Sequence, residues 1–326
     1  MNDLDVSVIV VNWNTQEVTC NCLRSIYEQP SRLACEVVVI DNASSDRSVE
    51  AIRQEFPQVR LIENKENRGF AAANNQGMAL ARGRYVLLLN SDTIVLDSAL
   101  DKVIDFADEH ADAAVVGCRV LNPDKTLQRT CFMFPSLLNM FLAASYLYRL
   151  FPRNKFFGRE RMTWWDRDDV REVDVVTGCF MLVRKGAIDQ VGYMDDRFFM
   201  YGEETDWCYR FKRAGWKVLF APVAEIIHLG GQSSDQVKGP MCLQLRGSIL
   251  SFLRKHKGLW SYVPSCVLVS LFFFLRIPVW FVRAVFSGGG RDDWKTLQTY
   301  VAGAWRALCG WEALSIRRTV KDEQGH

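Results

Sequence analysis

The sequence lacks the features that mark several large protein classes. Its ten cysteines include no CxxC pair and only Cys20 and Cys22 lie close together, so neither a zinc cluster nor a disulfide framework is indicated, and a reducing compartment fits. Charge of one sign is not in excess. With 40 Lys+Arg against 38 Asp+Glu the formal charge is only +2, so no global field recruits nucleic acid and any anionic ligand must be held locally. Neither GxGxxG nor GxxxxGKS/T occurs, which sets dehydrogenases and phosphate-loop NTPases aside. The opening MNDLDVSVIVVNWN carries no basic n-region and no cleavage site, so the active domain is expected to face the cytoplasm.

What is present suits a catalytic domain with an appendage. A chain of 326 residues, 49% hydrophobic, can bury a full α/β core and leave material over. Val6 to Val11 is a continuous β-branched run, and Glu36 to Ile40, Arg60 to Ile62 and Tyr85 to Leu89 repeat the pattern. Between them Val18, Cys22 and Ile26 recur at helical spacing, as do Val49, Ile52 and Phe56 after the cap signal Ser44-Ser45-Asp46. Apolar strands alternating with amphipathic helices predict a mostly parallel sheet covered on both faces.

In such a sheet, ligands bind at the carboxyl ends of the strands. The residues placed there are Asn12 to Asn14, Asp41-Asn42 and Asn90-Ser91-Asp92. Each is also ordinary turn or cap chemistry, but three polar ends on one edge together describe a site. A carboxylate ending a buried strand, as Asp92 does, is a hard oxygen ligand suited to Mg²⁺ or Mn²⁺ on a diphosphate. Asp41 suits acceptance of hydrogen bonds from a base or ribose. The stretch 64–83 places Arg68-Gly69 ahead of a helix of small residues carrying Asn74 and Asn75. Gly69 permits a tight turn, and the Ala-rich face lets that helix lie close to the sheet.

A second cluster follows residue 170. Val173 to Val176 and Phe180 to Val183 read as strands around Thr177-Gly178. Then come Glu203, Glu204 and Asp206 at the start of a helix that ends near Gly215. Three carboxylates this close raise at least one pKa unless cations or hydrogen bonds intervene, though a helix dipole alone also favours acids in a first turn. His228 ends a strand-like run ahead of two glycines, and a histidine there is either structural or a metal ligand.

VSVIVVNWN, VVVIDNASSD, NRGFAAANNQG, LLLNSDT, VTGCFMLVRK, FFMYGEETDWCYR and IIHLGG, in this order and spacing over roughly residues 5 to 232, together resemble glycosyltransferase family 2. Within it the likeness is to rhamnosyltransferase-like members of bacterial polysaccharide assembly. The resemblance implies a GT-A fold, a nucleotide-sugar donor, a divalent cation and inverting transfer. It implies that Asp41 contacts the nucleoside and that Asp92 binds metal, with Asn90 standing where many relatives carry Asp. Metal binding then leans on Asp92 and His228. Relatives carry Glu-Asp where this chain has Glu203-Glu204, which places the general base on Glu204, with Glu203 and Asp206 as competitors. The donor site comprises Asn12, Asn14, Asp41, Asn42, Arg68, Gly69, Asn74, Asn90, Ser91 and Asp92. dTDP-rhamnose is the first donor implied, with a saccharide or lipid-linked saccharide as acceptor.

The expected division is a catalytic domain over 1–240, with its nucleotide-sugar half to about 125 and its acceptor half beyond, and a helical extension over 241–326. Leu259 to Phe286 is apolar and aromatic but interrupted by Pro264, Arg276, Pro278 and Arg283, and Arg254, Lys255, His256 and Lys257 precede it. An interfacial or re-entrant segment at the cytoplasmic face of the inner membrane is expected, with Trp260, Tyr262 and Trp280 suiting that interface. Cys131 to Phe151, with Phe132, Phe134, Phe141, Leu142, Tyr146 and Tyr148, is a second candidate for lipid contact, and an oligomer interface is the other reading of both. A processive synthase of the same family would carry QxxRW, which Gln244-Leu245-Arg246-Gly247 does not supply. A catalytically silent nucleotide-binding scaffold at the membrane is the non-enzyme alternative.

Overall fold

A computed structural model describes residues 4–145, 147–232, 238–286, 290–309 and 311. They form two compact units. The first takes the described residues of Met1–Met133, Trp165–Phe199 and Glu203–Asp235, and the second those of Phe134–Trp164, Met200–Gly202 and Gln236–His326.

The first unit opens as alternating strand and helix: β1 (Val6–Asn12), α1 (Gln16–Tyr27), β2 (Cys35–Asp41), α2 (Ser48–Glu55), β3 (Arg60–Glu63), α3 (Phe70–Leu80), β4 (Tyr85–Asn90), β5 (Thr93–Val95) and α4 (Ala99–Glu109). It continues with β6 (Ala113–Leu121), β7 (Leu127–Gln128), β8 (Cys131–Phe132), β9 (Arg171–Glu172), β10 (Val175–Val176), β11 (Phe180–Arg184), α7 (Lys185–Val191), α8 (Glu203–Arg213) and β12 (Lys217–His228). The helices α5 (Leu137–Ala144) and α6 (Leu147–Leu150), between β8 and β9 in the chain, belong to the second unit.

The main sheet runs β3-β2-β1-β4-β11-β6-β12-β5. β3, β2, β1 and β4 are mutually parallel, as continuous apolar runs buried on both faces require. β11 then enters antiparallel between β4 and β6, and β12 resumes parallel to β6, so the complete sheet is mixed. The period-2 alternation of β1 divides its valines between the faces. Val6, Val8 and Val10 pack with Cys22, Leu23 and Ile26 of α1, Ile52 of α2, and Val103 and Ile104 of α4. On the other face Val38, Ile40 and Ala73 of α3 form a smaller cluster. Each fully buried Val or Leu contributes about 1.5–3 kcal/mol, so this core suffices to fix the strand ends. Gly77 lets α3 approach: a Cβ there would stand 2.5 Å from Ile9 Cγ2.

The strand expected over Val173 to Val176 is realised only at Val175–Val176, where it pairs with β8 in a separate two-stranded sheet. Val173 instead donates its backbone N–H to the Val218 carbonyl. All ten cysteines are free thiols.

The second unit is helical: α5, α6, α9 (Lys238–Lys257), α10 (Leu259–Phe274), α11 (Ile277–Phe286) and α12 (Arg291–Leu308). α10 continues through Pro264, and Pro278 falls in the first turn of α11, where a missing N–H costs nothing. The break lies between them, at Leu275-Arg276. Leu259–Phe286 is long and apolar enough to cross a membrane by length and composition, with 33% of its most apolar window buried. Trp260, Phe274 and Phe286 are among its most exposed side chains. Of the other proposed lipid-contact segment, Cys131–Phe132 is strand β8 of the first unit, Leu142 is buried, Phe141, Leu150 and Phe151 are exposed, and Tyr146 lies outside the described residues.

Candidate active site

Parallel pairing brings the polar ends of β1, β2 and β4 to one edge: Asn12 is opposite Asp41, and Val11 opposite Asn90. Asn12 is fully buried. Its amide nitrogen donates to Asp41 Oδ1 at 2.7 Å and Ser44 Oγ at 3.0 Å, while its Oδ1 accepts from Thr15 Oγ1 at 2.9 Å and Thr19 Oγ1 at 2.7 Å. All its hydrogen-bonding capacity is thus engaged inside the protein, and Asn12 bears on a ligand only through Asp41. The second Asp41 oxygen accepts from the Ser44 backbone N–H at 2.9 Å. Ala43 reaches a left-handed φ of 62° in that turn, an uncommon conformation for a residue with a Cβ.

Asn42 clamps the next loop, donating to Asn67 Oδ1 and the Gly69 carbonyl and accepting from Asn64 Nδ2 and the Arg68 backbone N–H. Asn14, also left-handed at φ 52°, accepts from the Ser45 backbone N–H at 2.7 Å. Gly69 has φ 80°, and a Cβ on it would fall 2.3 Å from the Phe199 carbonyl oxygen. That carbonyl accepts the Phe70 N–H at 2.7 Å, so the turn before α3 is joined by its backbone to the segment that leads to α8. Arg68 is exposed beside it, whereas Asn74 is buried with its amide on the Phe70 carbonyl.

At the end of β4 the chain turns into β5, whose Thr93 is opposite His228 of β12. His228 Nε2 therefore comes within 3.1 Å of both Asp92 Oδ1 and Asn90 Nδ2. Its other nitrogen, Nδ1, is 2.6 Å from Gln128 Oε1. The orientation of that amide is fixed, because Gln128 Nε2 donates to the His228 backbone carbonyl at 3.2 Å and to Asn122 Oδ1 at 2.8 Å, and a carbonyl can only accept. Nδ1 therefore carries the proton. In the neutral ring the Nε2 lone pair then accepts from Asn90 Nδ2 and lies beside the Asp92 carboxylate. One imidazole nitrogen beside one carboxylate suits Mg²⁺ or Mn²⁺, with diphosphate and water completing the shell. Among the described residues no group of three or more His, Cys, Asp and Glu side chains could hold a metal ion.

Glu203, Glu204 and Asp206 all lie in the first turn of α8. Asp206 is fully buried, and its Oδ2 accepts from Arg210 Nε at 2.8 Å while Arg210 also donates to the Val191 and Tyr193 carbonyls. Through Arg210, Asp206 is tied to the end of α7. Glu203 is buried and Glu204 is half-buried. Cys179, in the turn opening β11, is joined to the β4 end: its carbonyl accepts the Asn90 N–H at 3.1 Å. Burial, and then the negative charges of Asp92 and Glu204, push its thiol up to about 12.

Gln128, Ser44, Asn64 and Asn67 are site neighbours that were not expected from the sequence. Gln128 sits 100 positions from His228, and nothing local marks it. Ser44 and the two asparagines did carry a signal, as turn-formers beside strand ends.

Residues 7–192 match the family described as glycosyl transferase family 2. The N-acetylglucosaminyl-diphospho-decaprenol L-rhamnosyltransferase of Mycobacterium tuberculosis is 29% identical over 236 residues, 69% of this chain and 76% of its own length. A low-salt glycan biosynthesis hexosyltransferase of Haloferax volcanii is 25% identical over 251 residues, 72% of this chain and 69% of its own. In fold, the chain is similar to a mannosyltransferase from Pyrobaculum calidifontis solved in complex with GDP-Man and Mn²⁺, with a TM-score of 0.56 and 15% identity over 95% of this chain and 88% of that one.

Proposed function

The chain belongs to glycosyl transferase family 2 and is a glycosyltransferase; from that premise we propose that it moves a sugar, rhamnose from dTDP-rhamnose in the first place, onto a saccharide or lipid-linked saccharide in cell-surface polysaccharide biosynthesis. The observation that carries this reading is the 3.1 Å approach of His228 Nε2 to Asp92 Oδ1 on the same strand edge as Asp41. The related rhamnosyltransferase, named for a diphospho-decaprenol acceptor, favours both the sugar and the lipid-linked acceptor.

Asp41, fixed by Asn12 and the Ser44 N–H, accepts hydrogen bonds from the nucleoside. Asp92 and His228 would hold the divalent cation, which would supply positive charge against that growing on the leaving diphosphate. Glu204 takes the proton from the acceptor hydroxyl as that oxygen attacks the anomeric carbon. A single displacement inverts the centre, and no residue is needed to carry a covalent intermediate.

Membrane contact belongs to the same proposal. The second unit exposes Trp260, Val263, Val267 and Phe274 along α10, and the last turn of α9 carries Arg254, Lys255, His256 and Lys257. Apolar side chains beside clustered cations suit a bilayer face rich in anionic lipid, here the cytoplasmic face of the inner membrane. Complete partition of the full chain into the soluble fraction at physiological salt would rule this out.

The test of the enzyme reading is a thermal-shift screen of dTDP-, UDP- and GDP-sugars with Mg²⁺ or Mn²⁺, since a bound donor raises Tm by mass action. Asp92→Ala or His228→Ala should abolish the divalent-dependent part of the shift and of turnover. Undiminished activity in excess chelator would show both assignments to be wrong.

A further inference from the structure

Just before the acidic turn of α8 the chain leaves the first unit after Phe199 and returns to it at Glu203, so that Met200, Tyr201 and Gly202 belong to the second. Within that second unit α9 holds Met200 by its backbone. The Met200 carbonyl accepts from Gln244 Nε2 at 3.0 Å and from Ser248 Oγ at 3.2 Å, and Gln244 Nε2 also lies 3.2 Å from Ser248 Oγ, so the three polar groups close a triangle. A carbonyl only accepts, which fixes the Gln244 amide with its nitrogen towards Met200. Gln244 and Ser248 are one helical turn apart on the same face of α9. Ser248 is buried, and a buried hydroxyl needs a hydrogen-bond partner, which Met200 supplies. Gln244 opens the stretch Gln244-Leu245-Arg246-Gly247, to which the proposed chemistry gives no task.

Beyond Met200 the backbone turns sharply. Tyr201 has φ 64° and Gly202 φ 92°, both left-handed, and a residue with a Cβ keeps that conformation only where its surroundings over-determine it. Glu203 then opens α8. The body of this helix is fixed within the first unit: Trp207 Nε1 donates to the Gly192 carbonyl at 2.8 Å, and Arg210, held by Asp206, donates to the Val191 and Tyr193 carbonyls. Its first turn is less constrained by the helix itself, because the first four N–H groups of a helix have no intrahelical acceptor. The placing of that turn depends on the backbone that enters it, and Glu204 is its second residue.

We propose that Gln244 and Ser248 are positioning residues for Glu204: by fixing the Met200 carbonyl they set the two left-handed residues that follow, and with them the place of the Glu204 carboxylate beside the attacking oxygen. The role of Glu204 rests on the reaction proposed above, whereas the anchoring of 200–202 does not.

The experiment uses the full chain in neutral detergent micelles as wild type, Gln244→Leu, Ser248→Ala and the double variant. One readout, backbone hydrogen exchange over 199–213 by mass spectrometry, needs no turnover. The other is Mn²⁺-dependent release of dTDP from dTDP-rhamnose with water as the attacking species: the water oxygen bonds to the anomeric carbon, the bond to the diphosphate breaks, dTDP leaves with the electron pair and Glu204 takes the proton. Calorimetric binding of dTDP reports on the donor site. In the double variant, exchange should quicken at 201–206 and not at 207–213, and kcat should fall about 10–100-fold with dTDP affinity unchanged, since a misplacement of about 1 Å costs on the order of 10²-fold. Ser248→Thr retains the hydroxyl and should keep most of the turnover. In a Glu204→Gln background the double change should lower kcat little further, because it acts through a group already disabled.

A joint loss of Tm, dTDP affinity and turnover, with exchange rising along the whole of α8, would reduce the pair to packing and overturn the proposal. Unchanged exchange at 201–206, or a full further loss of kcat in the Glu204→Gln background, would overturn it as well. Quicker exchange confined to 201–206, in a protein that releases nucleotide from none of the dTDP-, UDP- and GDP-sugars, would sink the proposed reaction and leave the anchor standing.

Discussion

Gln128 Oε1 and His228 Nδ1 lie 2.6 Å apart, and because the Gln128 amide nitrogen is committed to the His228 and Asn122 oxygens, this one contact sets which imidazole nitrogen faces Asp92. Groups that orient a metal-binding histidine typically change metal affinity by about 10–100-fold when removed. Gln128→Leu should therefore weaken Mn²⁺ binding by about that factor, read by electron paramagnetic resonance of free Mn²⁺ in the presence of nucleotide. Gln128→Glu preserves the acceptor and should lose much less. Equal affinity in Gln128→Leu and wild type would remove Gln128 from the site.

The acidic turn of α8 should divide into a chemical and a structural part. Glu204→Gln should lower transfer by about 10²–10⁴-fold with donor affinity little changed. Glu204→Asp, which restores the residue that relatives carry there, should keep more activity. Asp206→Asn should act on stability instead, because it strips the buried partner from Arg210; the loss should be on the order of 2–3 kcal/mol, less than for a fully buried pair since Arg210 is partly exposed. An inactive Glu203→Gln beside a near-normal Glu204→Gln would move the base by one position.

Gly69 tests the link between the two halves of the site. Gly69→Ala combines a left-handed φ with a 2.3 Å approach to the Phe199 oxygen, so the Phe70 N–H to Phe199 O bond cannot survive undisturbed. Strain of about 1–2 kcal/mol comes from the backbone alone, and transfer should fall more than nucleotide binding does. Unchanged kcat and Tm would mean that the 199 segment moves freely with respect to α3.

Acid should loosen the sheet edge remote from the site. Arg84 donates to Asp5 Oδ1 at 3.0 Å and to both oxygens of Asp108. Asp108 is held below the ordinary carboxylate range by Arg84 foremost, and Asp5 by the Ala34 N–H and then Arg84. Carboxylates with depressed folded pKa values contribute stability that is present above the unfolded value of about 3.9 and is lost as pH falls through the folded one. Tm of the wild type should therefore fall below about pH 4, and Arg84→Gln should have a lower Tm at pH 7 with a shallower drop in acid. These side chains are partly exposed, so the effect should be modest and reduced by salt. Identical Tm profiles for the two proteins would refute the assignment.

What could be read from sequence follows the range of the forces involved. β1 to β4 announce themselves because each is a run buried on both faces, and the polar residues ending them are necessarily neighbours once the strands align. Asp92 and His228 meet because β5 and β12 pair, a contact that the sequence suggested only through resemblance. β7 to β10 are two-residue strands with no periodicity to detect. The split of 134–164 from its sequence neighbours reflects packing with helices more than 70 residues further on, and a linear cut near residue 240 has no means to express it. Asp206 was legible as an acid but not as the partner of Arg210, since a first-turn carboxylate is equally suited to the helix dipole.

The antiparallel insertion of β11 also imposes an order on assembly. As the chain leaves the ribosome, β3, β2, β1 and β4 can close with their own helices by residue 90, using contacts between near neighbours. β6 then emerges with only the two residues of β7 to pair with, and waits until 180–184 supplies the strand that joins it to β4. In that interval nine residues, AAVVGCRVL, present unpaired backbone and apolar side chains. Co-translational capture by chaperones should concentrate on nascent chains ending between β6 and β11, and a translational pause placed there would cost more yield than one placed anywhere before residue 90.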